Sequence, residues 1–159
     1  TVGAQTFNRE DTLRQVRGIQ NFHQNTRGWG DIGYHFLVAG AGRMVEARPV
    51  GLLGAHTFRN NSGNVGIALM GNFEERRPSE QQFEGLRRLA AFLALRHRIA
   101  PESALHGHRH YSATACPGRQ VWDALPRLRT EVAALMASWS RGPALAKGFT
   151  PVAVVSGVN

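Results

Sequence analysis

The chain has 159 residues, the length of one ordinary domain, and 42% hydrophobic against 19% charged residues is a globular balance. No apolar run approaches the ~20 residues that cross a bilayer, and a single cysteine, Cys116, excludes an internal disulfide framework. The net charge is +8, and 18 of the 19 basic residues are arginine, Lys147 being the one lysine.

Such a charge suits an anionic partner: nucleic acid, an acidic membrane or an acidic cell-wall polymer. GC-rich coding bias would give the same composition. The arginines are scattered, without a compact run or interleaved aromatic platforms, so nucleic acid is not expected.

Asn8 and Asp11 form a capping pair for a helix over 10–25, where Leu13, Val16, Ile19 and Phe22 recur every three residues. Gly28-Trp29-Gly30 ends it. Gly33 to Val38 and Arg43 to Arg48 read as two strands joined by the small-residue turn 39–42. Residues 49–64 are loop-like, and Val65 to Met70 is a short apolar strand. Ser79 and Gln82 make a capping box for a second helix carrying Phe83, Leu86, Ala90 and Leu93. A last helical stretch runs over 119–140, where Pro126 is expected to kink the helix or start a new segment. Met44, Met70 and Met136 read as core. Residues 141–159 read as a tail or linker, with one possible strand at Val152–Val155. The order predicts a single α/β (α+β) domain over 1–140, a central mixed sheet flanked by helices.

The segment from His106 to Gly118 holds His106, His108, His110 and Cys116. Imidazole nitrogen and thiolate sulfur are preferred zinc ligands, and a catalytic site needs three of them plus one open position. A metal loop and a surface loop with a buried cysteine both fit this spacing. Tyr34 is either a core tyrosine or a hydrogen-bond donor to a developing oxyanion. Strand alternation sends its neighbour His35 to the opposite face.

The stretches Ile19–His23 and Arg27–Val38 resemble the peptidoglycan recognition proteins and the zinc N-acetylmuramoyl-L-alanine amidases of type 2. Glu46–Pro49, Gly54–Thr57, Gly66–Phe73, Gly107–Arg109 and Thr114–Gly118 continue the resemblance in order, over residues 10–135. The resemblance implies zinc, bound by His108, Cys116 and one further histidine. It implies Tyr34 and Thr114 as catalytic residues. It also implies a groove in which His23, Trp29, Arg48 and His56 touch substrate. The expected reaction is hydrolysis of the amide joining N-acetylmuramic acid to L-alanine in bacterial peptidoglycan, in the periplasm or outside the cell. His106 and His110 are expected to be exposed or to stand behind the ligands.

The first ligand of such proteins lies on a first strand, in a His-His-Thr segment, and Thr1 resembles that threonine. No histidine within 1–22 replaces it. The expectation is that this strand lies just upstream of residue 1. The alternative is a binding module without catalysis. The presence of both Tyr34 and Cys116 favours the enzyme.

Overall fold

β1 (Phe36–Val38) is the axis around which the other elements are arranged. In the computed structural model, which describes residues 5–140, it pairs with two strands. β2 (Met44–Glu46) runs antiparallel to it, with Leu37 opposite Val45. β3 (Ile67–Leu69) runs parallel, with Leu37 opposite Ala68. The sheet is mixed, in the order β2-β1-β3. Hydrogen bonds continue the ladder past the short regular strands. Ala47 N–H donates to His35 O (2.9 Å), Arg48 N–H to Tyr34 O (3.1 Å) and Met70 N–H to Val38 O (3.0 Å).

β1 is buried on both faces, as its unbroken Phe-Leu-Val run requires. Leu37 packs with Val16, Val45, Ala68 and Met70 on the face covered by α1 (Arg9–Asn21). Phe36 and Val38 pack with Leu89 and Leu93 of α2 (Glu80–His97) on the other. A further layer lies behind α2. Leu86, Ala90 and Ala91 meet Leu125, Leu128 and Val132 of α4 (Arg119–Ser140). The short α3 (Pro101–Ala104) joins α2 to the loop before α4.

The caps stand where the sequence places them. Asn8 accepts from Asp11 N–H (2.8 Å), and Ser79 Oγ from Gln82 N–H (3.0 Å). Three expectations change. The helix expected over 10–25 is α-helical only to Asn21 and closes with a π-helical turn, Phe22–Thr26. Pro126 starts no new segment, because α4 runs through it. Proline removes one N–H, while Val121, Leu125, Leu128 and Val132 keep the helix buried on both sides of that position. The stretch 33–38 is not one regular strand. His35 N–H (2.9 Å) and Phe36 N–H (3.1 Å) both donate to Gly66 O. This bulge breaks the alternation, so Tyr34 joins the Leu37 side of the sheet. The strand expected at Val152–Val155 lies outside the described residues. Among the described residues no helix is long and apolar enough to cross a membrane.

Gln82 ties the layers together. It is wholly buried, and its side-chain amide donates to Val38 O (2.8 Å) and Met70 O (3.1 Å), at the ends of β1 and β3. Its Oε1 accepts from Gln5 (2.9 Å). Gln82→Leu strips these partners at nearly constant volume. Urea unfolding should show a loss of about 1–3 kcal/mol, the usual cost of orphaned buried polar groups. An unchanged midpoint would contradict this role.

Candidate functional site

Residues 105–118 connect α3 to α4 by folding back on themselves. Arg109 N–H donates to Cys116 O (3.0 Å), which brings the His108–His110 turn alongside Cys116. The Arg109 side chain closes the loop. Its Nη2 reaches Ala115 O (2.9 Å) and Glu74 Oε1 (3.3 Å), and its Nε reaches Thr114 O (3.3 Å). Its guanidinium lies 5.2 Å from the centre of the Trp122 ring. Glu74 Oε1 also accepts from Arg119 N–H (3.2 Å), tying the loop to the start of α4.

This loop forms one wall of a cleft of about 520 Å³. His108, Tyr111, Thr114 and Cys116 of the loop line it together with Tyr34, His56 and Thr57. Ile67, Ala68 and Leu69 of β3 border it as well. Burial raises the Tyr34 phenol above its ordinary pKa, with the Cys116 thiol adding to the effect, so Tyr34 remains a donor at neutral pH. Thr114 Oγ1 accepts from Cys116 N–H (3.2 Å), which leaves its own hydroxyl proton free to donate. His108 is pushed down by burial and is neutral. Burial pushes the Cys116 thiol up, although the residue reaches the surface, while Arg109 pulls it down.

His56 is held at the far end of the cleft. Its ring fills the space between Gly54 and Gly66, where a Cβ at either position would come within 2.5 Å of it. Its Nε2 bonds Asn64 O (3.2 Å), and its pKa is lowered to about 4, chiefly by burial. The ring is therefore neutral, with Nε2 as the donor and Nδ1 as an acceptor.

His23, Trp29 and Arg48 stand beside the cleft. The His23 ring lies 5.8 Å from Tyr34 and 4.7 Å from Trp29. His23 Nδ1 accepts from Gly33 N–H (3.0 Å), and burial lowers its pKa. Trp29 is 41% exposed. It sits between Gly28 and Gly30, both at positive φ (66° and 73°), a conformation glycine adopts readily. Arg48 is buried, and its guanidinium donates to backbone carbonyls. His106 and His110 stack on one another at 4.0 Å.

Residues 3–119 match the family model described as N-acetylmuramoyl-L-alanine amidase, Amidase_2. The chain belongs to this family. Peptidoglycan-recognition protein SC2 of Drosophila simulans is 32% identical over 123 residues, 77% of this chain and 67% of that protein. The human N-acetylmuramoyl-L-alanine amidase is 40% identical over 111 residues, 69% of this chain but 19% of the human protein. Among solved structures, the ectodomain complex of peptidoglycan recognition proteins LCa and LCx with tracheal cytotoxin is similar at a TM-score of 0.72. It is 33% identical, covering 80% of this chain and 76% of that one.

The amidase-family domain thus gathers Tyr34, His56, His108, Thr114 and Cys116 around one cleft. Glu74 and Asn64 shape that cleft and were not singled out from sequence, and Arg109, which also shapes it, entered only as the end of the Gly107–Arg109 stretch, with no role of its own. The only sequence signal for Arg109 is its position directly after His108. His108 and Cys116 suit zinc in kind, but zinc catalysis needs three such ligands. Among the described residues no three His, Cys, Asp or Glu side chains converge.

The low pKa of His56 has a consequence for stability. The unfolded chain takes up a proton near pH 6.5 that folded His56 refuses until about pH 4. Stability is therefore full above the unfolded value and lost as pH falls through this window. Between pH 7 and pH 4.5 the wild-type domain should lose about 1 kcal/mol more than His56→Gln, after allowing for solvent screening at a half-buried site. Equal losses in the two proteins would contradict the assignment.

Proposed function

We propose that this domain binds muramyl peptides in the cleft and hydrolyses the amide between N-acetylmuramic acid and L-alanine, with zinc as cofactor. The observation that carries the reading is the fold-back at Arg109–Cys116, because it brings His108, Thr114 and Cys116 into the cleft that holds Tyr34. The family includes amidases, and similar proteins have been solved in complex with tracheal cytotoxin, a monomeric diaminopimelic acid-type peptidoglycan. The setting of such a substrate is the periplasm or the cell exterior.

His108 and Cys116 would hold zinc. Bound there, the metal would supply Lewis acidity toward the amide carbonyl and lower the pKa of water. His108 and Cys116 are two of the three donors that such a site needs, and among the described residues no third His, Cys, Asp or Glu joins them.

The chain's own residues then have distinct tasks. Hydrolysis adds water across the amide, breaking the C–N bond and forming C–O. The products are the lactyl carboxylate and the free amine of L-alanine. Tyr34 and Thr114 supply protons for hydrogen bonds to the oxygen that gains charge, and His56 accepts from a substrate N–H or O–H. Trp29 offers an apolar surface with His23 behind it. The surplus of arginine draws the carboxylates of the stem peptide.

A non-catalytic peptidoglycan-binding module is the second reading, favoured by the two metal donors found among the described residues. Mass spectrometry of a muramyl tripeptide incubated with the zinc-supplemented protein separates the two. Release of the free peptide is expected, and Tyr34→Phe should slow it ~10²–10³-fold, the usual cost of one oxyanion donor, with affinity little changed. Binding without cleavage would establish the second reading. Cleavage by Tyr34→Phe at the wild-type rate would remove Tyr34 from the mechanism.

A further inference from the structure

The segment that carries His56 into the cleft leaves the core after Val50, which packs against the Phe36–Leu93 cluster. Leu52 and Leu53 are 58% and 64% exposed. Hydrophobic burial therefore does not anchor residues 51–53, and their backbone is fastened in another way. Two consecutive carbonyls provide the handle. Leu52 O lies 3.0 Å from His35 Nε2, and Leu53 O accepts from Arg48 Nη1.

Each clamp has a second grip elsewhere. His35 Nδ1 accepts from Gly66 N–H (2.9 Å), which places its proton on Nε2, facing Leu52 O. Arg48 Nη2 donates to Trp29 O (2.9 Å) and Asp31 O (3.1 Å). His35 is 2% exposed and Arg48 8%. His35 thus ties the loop to the residue before β3, and Arg48 ties it to the Trp29 turn. The His56 ring sits between Gly54 and Gly66, edge-on to His35 at 5.6 Å.

We propose that His35, with Arg48, is a positioning residue for the cleft: a neutral imidazole that bridges Leu52 O to Gly66 N–H and thereby sets His56 against the ligand. His35 does not line the cleft and touches no substrate. It acts through the loop and the His56 ring. Arg48 serves as the second clamp, since three of its donated hydrogen bonds go to the chain itself. This inference rests on reading the cleft as a muramyl-peptide site.

The test compares His35→Phe with His35→Gln in the 159-residue protein. Phenylalanine fills the space but can bridge nothing. Glutamine offers an acceptor and a donor at nearly the separation of the two ring nitrogens. Muramyl dipeptide affinity is read by calorimetry and checked by intrinsic tryptophan fluorescence. Backbone exchange at Ala55, His56 and Gly66 is read by NMR. His35→Phe should weaken binding about tenfold, a loss of about one ordered hydrogen-bonded contact, and speed exchange at those amides but not in α2. His35→Gln should recover most of both.

Wild-type affinity in a folded His35→Phe protein would overturn the proposal, as would a His35→Gln protein that behaves like His35→Phe. If His35→Phe does not fold, nitrogen NMR of the wild-type ring decides, since a proton on Nδ1 would break the bridge. If the wild-type protein does not bind muramyl dipeptide, the ligand reading fails, and the exchange pattern still tests the clamp.

Discussion

The hydrogen bond from Arg109 N–H to Cys116 O is the constraint on which the site depends. Without it, His108 and Cys116 would be two side chains on a loop of no defined shape. The bond alone is worth about 1 kcal/mol. The Arg109 side chain multiplies it by gripping Thr114 O, Ala115 O and Glu74 around the same bend. Glu74 then receives the first turn of α4, so the loop inherits the rigidity of the helix layer behind it.

The opposite wall is built from the sheet. β1 needs both faces covered, which brings α1 to one side and α2 to the other. The bulge at His35 and Phe36 interrupts the strand where Tyr34 and His35 diverge. Tyr34 can then face the His108–Cys116 loop while His35 faces the backbone of the opposite loop. One irregular residue pair thus serves two purposes, and regular alternation would not have placed Tyr34 with Leu37.

The helices were legible because their signals are local. Ser79 caps Gln82 whatever the rest of the chain does, and apolar spacing marks the buried face of α2. The cleft residues Tyr34, His56, His108, Thr114 and Cys116 were legible through family motifs, not through periodicity. The bulge at Gly66 O and the clamp at Leu52 and Leu53 were not legible, and Pro126 left open whether the helix over 119–140 bent or broke. Each depends on contacts between distant segments: a shared carbonyl, a packed helix face, a ring bridging residues 52 and 66. Arg109 was hidden for the same reason, since its partners are carbonyls, which every residue carries.

Peptidoglycan fragments are proposed to bind in the Tyr34–Cys116 cleft. Titrating an isotope-labelled 159-residue protein with muramyl tripeptide, and following every backbone amide, tests it most directly. The account predicts saturable shifts concentrated at Tyr34, His56, Thr114 and Cys116, with a smaller effect at Trp29. Shifts confined to the outer faces of α2 and α4, or no shifts at millimolar ligand, would contradict it.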